Sequence, residues 1–214
     1  MSPSYVYTTI ITPRPGLGQE IVDKIIEYKT RSRRTRGFAT ISVASDRPVI
    51  YNNAPFDQDL EGLQAYVEEL ATDPDSIKAW AEIAGLSESV SHMIGEGLAG
   101  MDPNPLTGNH DAPYLERLTL HAKPGERDSV TEQLIGIREL MGDPKMSVSR
   151  GATGDVNKLM MMRMLTDLSV IGEFRSRQEE PRETRAALAA VERSCVSVER
   201  EYARVVRLVR RSDE

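Results

Sequence analysis

One pattern occurs twice along the chain, and this repetition constrains the fold more than any single motif. Residues 5–16 read YVYTTIITPRPG and residues 114–125 read YLERLTLHAKPG. Tyr5 and Tyr114, like Pro15 and Pro124, lie 109 positions apart. Each stretch reads as a strand that ends at a Pro-Gly turn. A helical spacing of apolar residues follows in both copies, with Ile21, Val22, Ile25 and Ile26 in the first and Val130, Leu134, Ile137 and Met141 in the second. Two short strand-like runs come next: 38–44 and 48–52 in the first copy, 146–150 and 158–165 in the second. Asp46 and the Gly154-Asp155 pair stand between the runs, where a hairpin needs turn residues. Asp59 and Asp167 then open matching helix starts, Asp59-Leu60-x-x-Leu63-x-x-Tyr66 and Asp167-Leu168-x-x-Ile171-x-x-Phe174. A further helix (76–84; after Pro181) and a last strand (90–94; 196–206) complete each copy.

Strand, helix, strand, strand, helix, strand is the split β-α-β motif. The expected fold class is therefore α+β: two tandem ferredoxin-like units whose antiparallel sheets pack into an intrachain α/β barrel. The first unit spans 1–100 and the second 114–214. The linker 101–113, with three prolines and a glycine, admits no regular element. Two units in cis cover each other's sheets and remove the obligation to dimerise, while a homodimer through other surfaces stays open.

Composition narrows the function classes. The net charge of −6 argues against bulk nucleic-acid binding, which wants a basic surface. A single cysteine, Cys195, allows no intramolecular disulfide and suits a reducing compartment. No apolar run approaches the ~20 residues of a membrane span, and the first residues carry no signal-peptide pattern. A cytoplasmic protein without membrane or nucleic-acid partners is expected.

Residues 167–174, Pro181 and Arg185-Ala186-Ala187-Leu188 resemble the second-helix region of antibiotic-biosynthesis-monooxygenase domains. Residues 198–206 resemble their last strand, and 118–125 their first strand and turn. The resemblance is to the dimeric α/β-barrel superfamily, of which tandem fusions are a known form. It implies a fold rather than a reaction, because the superfamily includes cofactor-free and reduced-flavin oxygenases, polyketide cyclases, isomerases and haem-using enzymes.

Several residues could carry chemistry. His121 closes the first strand of the second copy where the first copy has Thr12, and a histidine there can serve as a general base; a hydrogen-bonded strand-end histidine is the bland reading. In the run Lys158-Leu159-Met160-Met161-Met162-Arg163-Met164, alternation puts Met160, Met162 and Met164 on one face and Arg163 on the other. Methionines adapt to a flat aromatic ligand and Arg163 could hold a phenolate, although core filling explains the methionines equally well. Strand alternation is the difficulty, since Arg163 and Met162 share one cavity only across a bulge or a strand edge. Tyr51, Trp80 and His92 form a competing site in the first copy. Asn52 and Asn53 read as a strand-end turn, with polarisation of a substrate carbonyl as their functional alternative. Tyr51, Tyr66, Trp80 and Phe174 are expected to border the sheet–helix space. The basic run 31–36 reads as a solvated surface or a phosphate-capturing patch. The three histidines show no metal-site spacing, and no metal is expected.

The leading expectation is a small-molecule monooxygenase that tailors an aromatic polyketide or related polycyclic phenol with O2. The alternatives are a cofactor-free cyclase or isomerase and a non-catalytic ligand-binding protein. No tightly bound cofactor is expected; reduced flavin, supplied by a flavin reductase, and haem stay open. His121 and Arg163 are the expected catalytic residues, with Met160, Met162, Tyr51, Trp80, His92 and Asn53 binding substrate.

Overall fold

The computed structural model describes residues 4–31, 38–43, 48–56, 60–100, 113–142, 146–169 and 182–207. The first half contains β1 (Ser4–Pro13), α1 (Gly18–Arg31), β2 (Phe38–Ser42), β3 (Ile50–Phe56), α2 (Leu60–Thr72), α3 (Pro74–Gly85) and β4 (Ser87–Ala99). The second contains β5 (Tyr114–Ala122), α4 (Arg127–Met141), β6 (Met146–Gly151), β7 (Lys158–Leu165), α5 (Arg182–Ser194) and β8 (Cys195–Arg207). No described helix is long and apolar enough to cross a membrane.

Local chemistry accounts for the boundaries. In both halves the first strand ends in a turn with Pro at its second and Gly at its third position. Leu17 N donates to Arg14 O at 3.0 Å, and Glu126 N donates to Lys123 O at 2.9 Å. Gly16 and Gly125 have φ of 81° and 85°, the left-handed conformation this turn demands of its third residue. The helical stretch after β3 breaks at Asp73-Pro74. Pro74 cannot continue a helix but suits a first turn, and the Asp73 carboxylate caps the new helix by accepting from Ser76 N at 2.7 Å.

The eight strands form one closed barrel in the order β1-β3-β2-β8-β5-β7-β6-β4, with every neighbouring pair antiparallel. Each half supplies a ferredoxin-like sheet, and the last strand of each reaches past its own sheet to pair with the other. Gly95 to Ala99 of β4 pair with β6, and Ala203 to Arg207 of β8 pair with β2. The bulges agree with the repeat: β1 shifts register between Thr12 and Pro13, and β5 between His121 and Ala122.

Three apolar clusters follow. One lies under the helices of each half, around Ile11, Ile25 and Ile50 in the first and around Leu120, Leu134 and Leu159 in the second. The third, Phe38, Leu115 and Val205, lies inside the barrel with Met162 and Met164 packed on it. Arg117 shares that interior and is 1% exposed. Its guanidinium reaches Glu201 Oε2 at 2.8 Å and Thr40 Oγ1 at 2.8 Å. It also stacks 3.6 Å from the centroid of the Tyr51 ring. One side chain of the second half thus binds β2 and β3 of the first.

Two expectations change. β3 runs on to Phe56, so Asn52 and Asn53 lie inside a strand and not in a turn. Pro55 lies beyond the last described β2–β3 pair, Phe38 with Asn53, so among the described residues no ladder bond from β2 is asked of it. Tyr51 faces the barrel interior, not the sheet–helix space, because it alternates with the helix-facing Asn52. The expected turn at Asp46, the helix start at Asp59, the basic residues 32–36, linker residues 101–112 and the segment 170–181 with Phe174 lie outside the described residues.

Removing one partner of a buried ion pair strands the other, whereas replacing both is tolerated. Arg117→Met is expected to lower the unfolding free energy by about 3 kcal/mol, and adding Glu201→Gln to restore part of that loss. Urea denaturation of both variants is the check, and an unchanged midpoint for Arg117→Met would show that the guanidinium contributes nothing net.

Candidate functional site

Every strand of this barrel has one face inside and one under the helices, so neighbouring residues enter different compartments. Tyr51, Asn53, Met160 and Met162 line a barrel-interior cavity of about 20 Å3 with Thr8, Arg117 and Ser149. That is room for about one water molecule. The Asn53 amide is already engaged, accepting from Thr8 Oγ1 at 3.0 Å and donating to Phe38 O at 3.5 Å. Burial raises the Tyr51 pKa, and the Arg117 charge opposes that rise.

His121 sits at the barrel mouth with its Nδ1 2.7 Å from Asp155 Oδ2, beside Lys158 in the ladder. Burial lowers the Lys158 pKa, reinforced by Arg117. The Asp155 carboxyl is held below its ordinary value: burial opposes this, and the Asn157 amide and His121 outweigh it. Arg163 lies on the helix-facing side of β7, opposite Glu116 and Met146. β7 runs in unbroken register from Lys158 to Leu165, so Arg163 and Met162 remain on opposite faces. The structure therefore does not bring His121, Arg163 and the methionines into one cavity.

It does bring Trp80 and His92 together, under the helices of the first half. His92, Thr9 and Asn52 form a row across β4, β1 and β3, each in register with the next. His92 Nδ1 is 3.3 Å from Thr9 Oγ1. The His92 ring packs 5.5 Å from Tyr7 and edge-on to Trp80 at 6.3 Å, between centroids. Tyr66 packs edge-on against Tyr7 at 5.4 Å, and Tyr28 against Trp80 at 6.1 Å. His92 is exposed, yet its packing against Tyr7 and Trp80 desolvates the ring enough to lower its pKa, so the imidazole is neutral near pH 7 and can accept a proton. Asn52 is 1% exposed, and its Oδ1 has no hydrogen-bond partner among the described residues.

From α1, Lys29 enters the same half of the structure. It is 4% exposed and donates to Asn53 O at 3.2 Å. Burial pushes its pKa down to about 7. In the second half Arg138 stands at the Lys29 position and donates to Met146 O at 2.9 Å, but the polar row across the sheet is not repeated among the described residues. At the repeat offset, Leu118 replaces Thr9, Met161 replaces Asn52, Leu188 replaces Trp80 and Arg200 replaces His92. Arg200 is tied to Glu116 at 3.3 Å, and Glu116 also accepts from Tyr202 Oη at 3.4 Å. Among the described residues no cluster of His, Cys, Asp or Glu is arranged to hold a metal ion.

Tyr7, Thr9 and Lys29 had not been singled out in the sequence, whereas Asn52 had been, with Asn53, as a turn residue or a group that polarises a substrate carbonyl. The signal that finds them is the comparison of the two copies position by position, since Thr9 and Asn52 stand where the other copy has hydrocarbon.

No protein-family model matches the chain, and no curated protein matches it. Solved structures do. An anthrone oxidase-like protein, 14% identical, aligns over 96% of this chain and 92% of its own with a TM-score of 0.67. A candidate monooxygenase from Fusobacterium nucleatum subsp. nucleatum, 10% identical, aligns over 95% and 93% with a TM-score of 0.67. A candidate monooxygenase from Lactobacillus acidophilus, 8% identical, aligns over 96% and 94% with a TM-score of 0.56. The chain has the dimeric α/β-barrel fold. Both sheets of the barrel lie in one polypeptide, which closes it in cis.

Lys29 makes a prediction whose sign is fixed. Its pKa is about 7 folded against 10.5 unfolded. Between those values the unfolded state binds more protons, so stability rises with pH. Lys29→Met is expected to be more stable than the parent at pH 7.5, with the gap narrowing toward pH 9.5. Urea denaturation at both pH values measures it, and a gap independent of pH would show that Lys29 is charged in the fold.

Proposed function

We propose that the chain is a small-molecule oxygenase that oxidises a flat phenolic or enolic substrate in the sheet–helix layer of its first half. The observation that carries this reading is the His92–Thr9–Asn52 row flanked by Tyr7 and Trp80, present in one half of a duplicated fold and replaced by Leu118 and Met161 in the other. The likeness in fold to an anthrone oxidase-like protein supports the substrate class, a fused aromatic ring system with an acidic C–H or O–H. An aromatic polyketide in secondary metabolism is the finer form of the same proposal.

The chemistry asks for a base, a flat cradle and exclusion of water. With Nδ1–H directed at Thr9 Oγ1, His92 presents Nε2 as the proton acceptor. The substrate ring lies against Tyr7 and Trp80, which pack flat aromatic surface without fixing one substrate shape. Deprotonation gives an enolate or phenolate, which transfers one electron to O2. Recombination of the substrate radical with superoxide forms the C–O bond of a hydroperoxide. At a reacting CH2 group, loss of water from that hydroperoxide leaves a carbonyl, so one O2 is consumed and one water released. The residues bind, orient and deprotonate, and the electrons come from the substrate. Haem and reduced flavin are assayed alongside.

The test is an oxygen electrode with anthrone as substrate. The parent is expected to consume O2, and His92→Ala to reduce kcat/KM by roughly 10²–10⁴-fold. The parent's kcat/KM is expected to rise with pH and level off below the ordinary histidine pKa, because burial depresses that of His92. Unchanged turnover in His92→Ala would remove the histidine from the mechanism. Substrate conversion without O2 uptake would make the protein a cyclase or isomerase using the same base. Loss of activity in His121→Ala but not in His92→Ala would move the reaction to the barrel mouth.

A further inference from the structure

The second half carries a cleft that the reaction proposed above leaves unused. It lies between β5, β8 and the helices α4 and α5, with a volume of about 400 Å3. That is within the range of small-molecule sites, roughly 300–1,000 Å3. Its lining among the described residues is mostly hydrocarbon: Leu118 and Leu120 from the sheet, Leu134, Leu188 and Val191 from the helices, and Val198 from the last strand. Val196, at its mouth, is 71% exposed. The charged side chains that border it are Glu192 and Arg200, the latter paired with Glu116.

The first half shows what such a space accepts. Leu188 occupies the position that Trp80 occupies in the first copy, 108 residues earlier, and Val198 that of Val90. In the first half the indole of Trp80 stands over the sheet, edge-on to His92 and Tyr28. In the second half a leucine replaces the indole, and its helix neighbours Ala186, Ala187, Ala189 and Ala190 are small. The fold is the same, so the missing ring leaves room. The polar atoms that would bind a charged group are absent from the floor, which Leu118, Leu120 and Leu134 form.

We infer that the cleft between β8 and the second half's helices is a binding site for a neutral, flat aromatic molecule, seated where the first half places the ring of Trp80. The site binds and has no base, so it is separate from the reaction at His92 and does not depend on it. Burial raises the pKa of the Cys195 thiol, which lines the cleft and remains a thiol at neutral pH. That makes Cys195 a reporter of occupancy.

The probe is 1-aminoanthracene, neutral at neutral pH and brighter in apolar surroundings. Fluorescence titration of the full chain is expected to show a saturable component at this cleft, identified by its weakening in Leu188→Trp, beside any binding of this flat ring at the first half's site. Leu188→Trp, which supplies the first half's residue, is expected to weaken binding by at least about tenfold, while His92→Ala binds as the parent does. With probe at ten times its Kd, alkylation of Cys195 by iodoacetamide at alkaline pH is expected to slow by about tenfold, following occupancy. Unchanged affinity in a folded Leu188→Trp variant overturns the inference, as does loss of binding in His92→Ala. Should Leu188→Trp fail to fold, Cys195 decides: an alkylation rate unaffected by saturating probe places the ligand elsewhere.

Discussion

An open four-stranded sheet has two edges, each a row of backbone N–H and C=O groups without partners. The rest of this structure depends on how those edges are closed. β4 and β8, of 13 residues each, are long enough to pair with their own sheet over one part and with the other half's sheet over the rest. Their overlaps with β6 and β2 leave no open edge in the barrel. Closure fixes the relative position of the halves through main-chain bonds, which tolerate sequence change. That explains how a chain 14% identical to a solved structure keeps its fold over almost its whole length.

Closure has a second consequence. An open sheet shows its strand pattern as apolar inside and polar outside, but here both faces are covered, one by the barrel lumen and one by helices. The lumen is narrow, and Arg117, Tyr51, Phe38 and the methionines fill it to within one small cavity. A buried guanidinium is costly unless its neighbours compensate. Glu201, the Thr40 hydroxyl and the Tyr51 ring do so from three strands, β8, β2 and β3. The lumen is therefore a locked core between the halves, and accessible space lies outside the barrel, under the helices.

These two features set what could be read from the sequence. The repeat was legible because turn chemistry is local: Pro15-Gly16 and Pro124-Gly125 need their residues whatever surrounds them. The split of Met160 and Met162 from Arg163 was legible because alternation is a property of one strand. Which compartment each face enters was not legible, since a strand covered on both sides gives no polar face to mark the outside. Tyr51 was accordingly expected beside the helices and lies in the lumen, stacked on Arg117. Asn52 and Asn53 read as turn residues because asparagine favours turns; the pairing of β3 with β1 and β2 overrides that preference. His121 stood out against Thr12 as the titratable difference between the copies, and the structure places it at the barrel mouth, hydrogen-bonded to Asp155.

The two halves, equal in topology, are unequal in how completely their helix layers are apolar. Among the described residues, the second half's cluster includes Leu118 and Met161, whereas the first half's has neither of the equivalent positions, Thr9 and Asn52. The difference falls where the first half substitutes polar groups, Thr9 for leucine and Asn52 for methionine; Lys29, which stands where the second half has Arg138, has an amine desolvated enough to lose its proton near pH 7. Each costs stability, since an unpartnered amide oxygen and a buried amine both forfeit hydration. A fold held by core packing alone gains nothing from them. Polar groups kept at such a cost, beside a histidine whose pKa desolvation lowers, suit the proton transfer proposed for this half. The second half keeps leucine and methionine at those positions, and the barrel joins the two halves through the pairing of β4 with β6 and of β8 with β2.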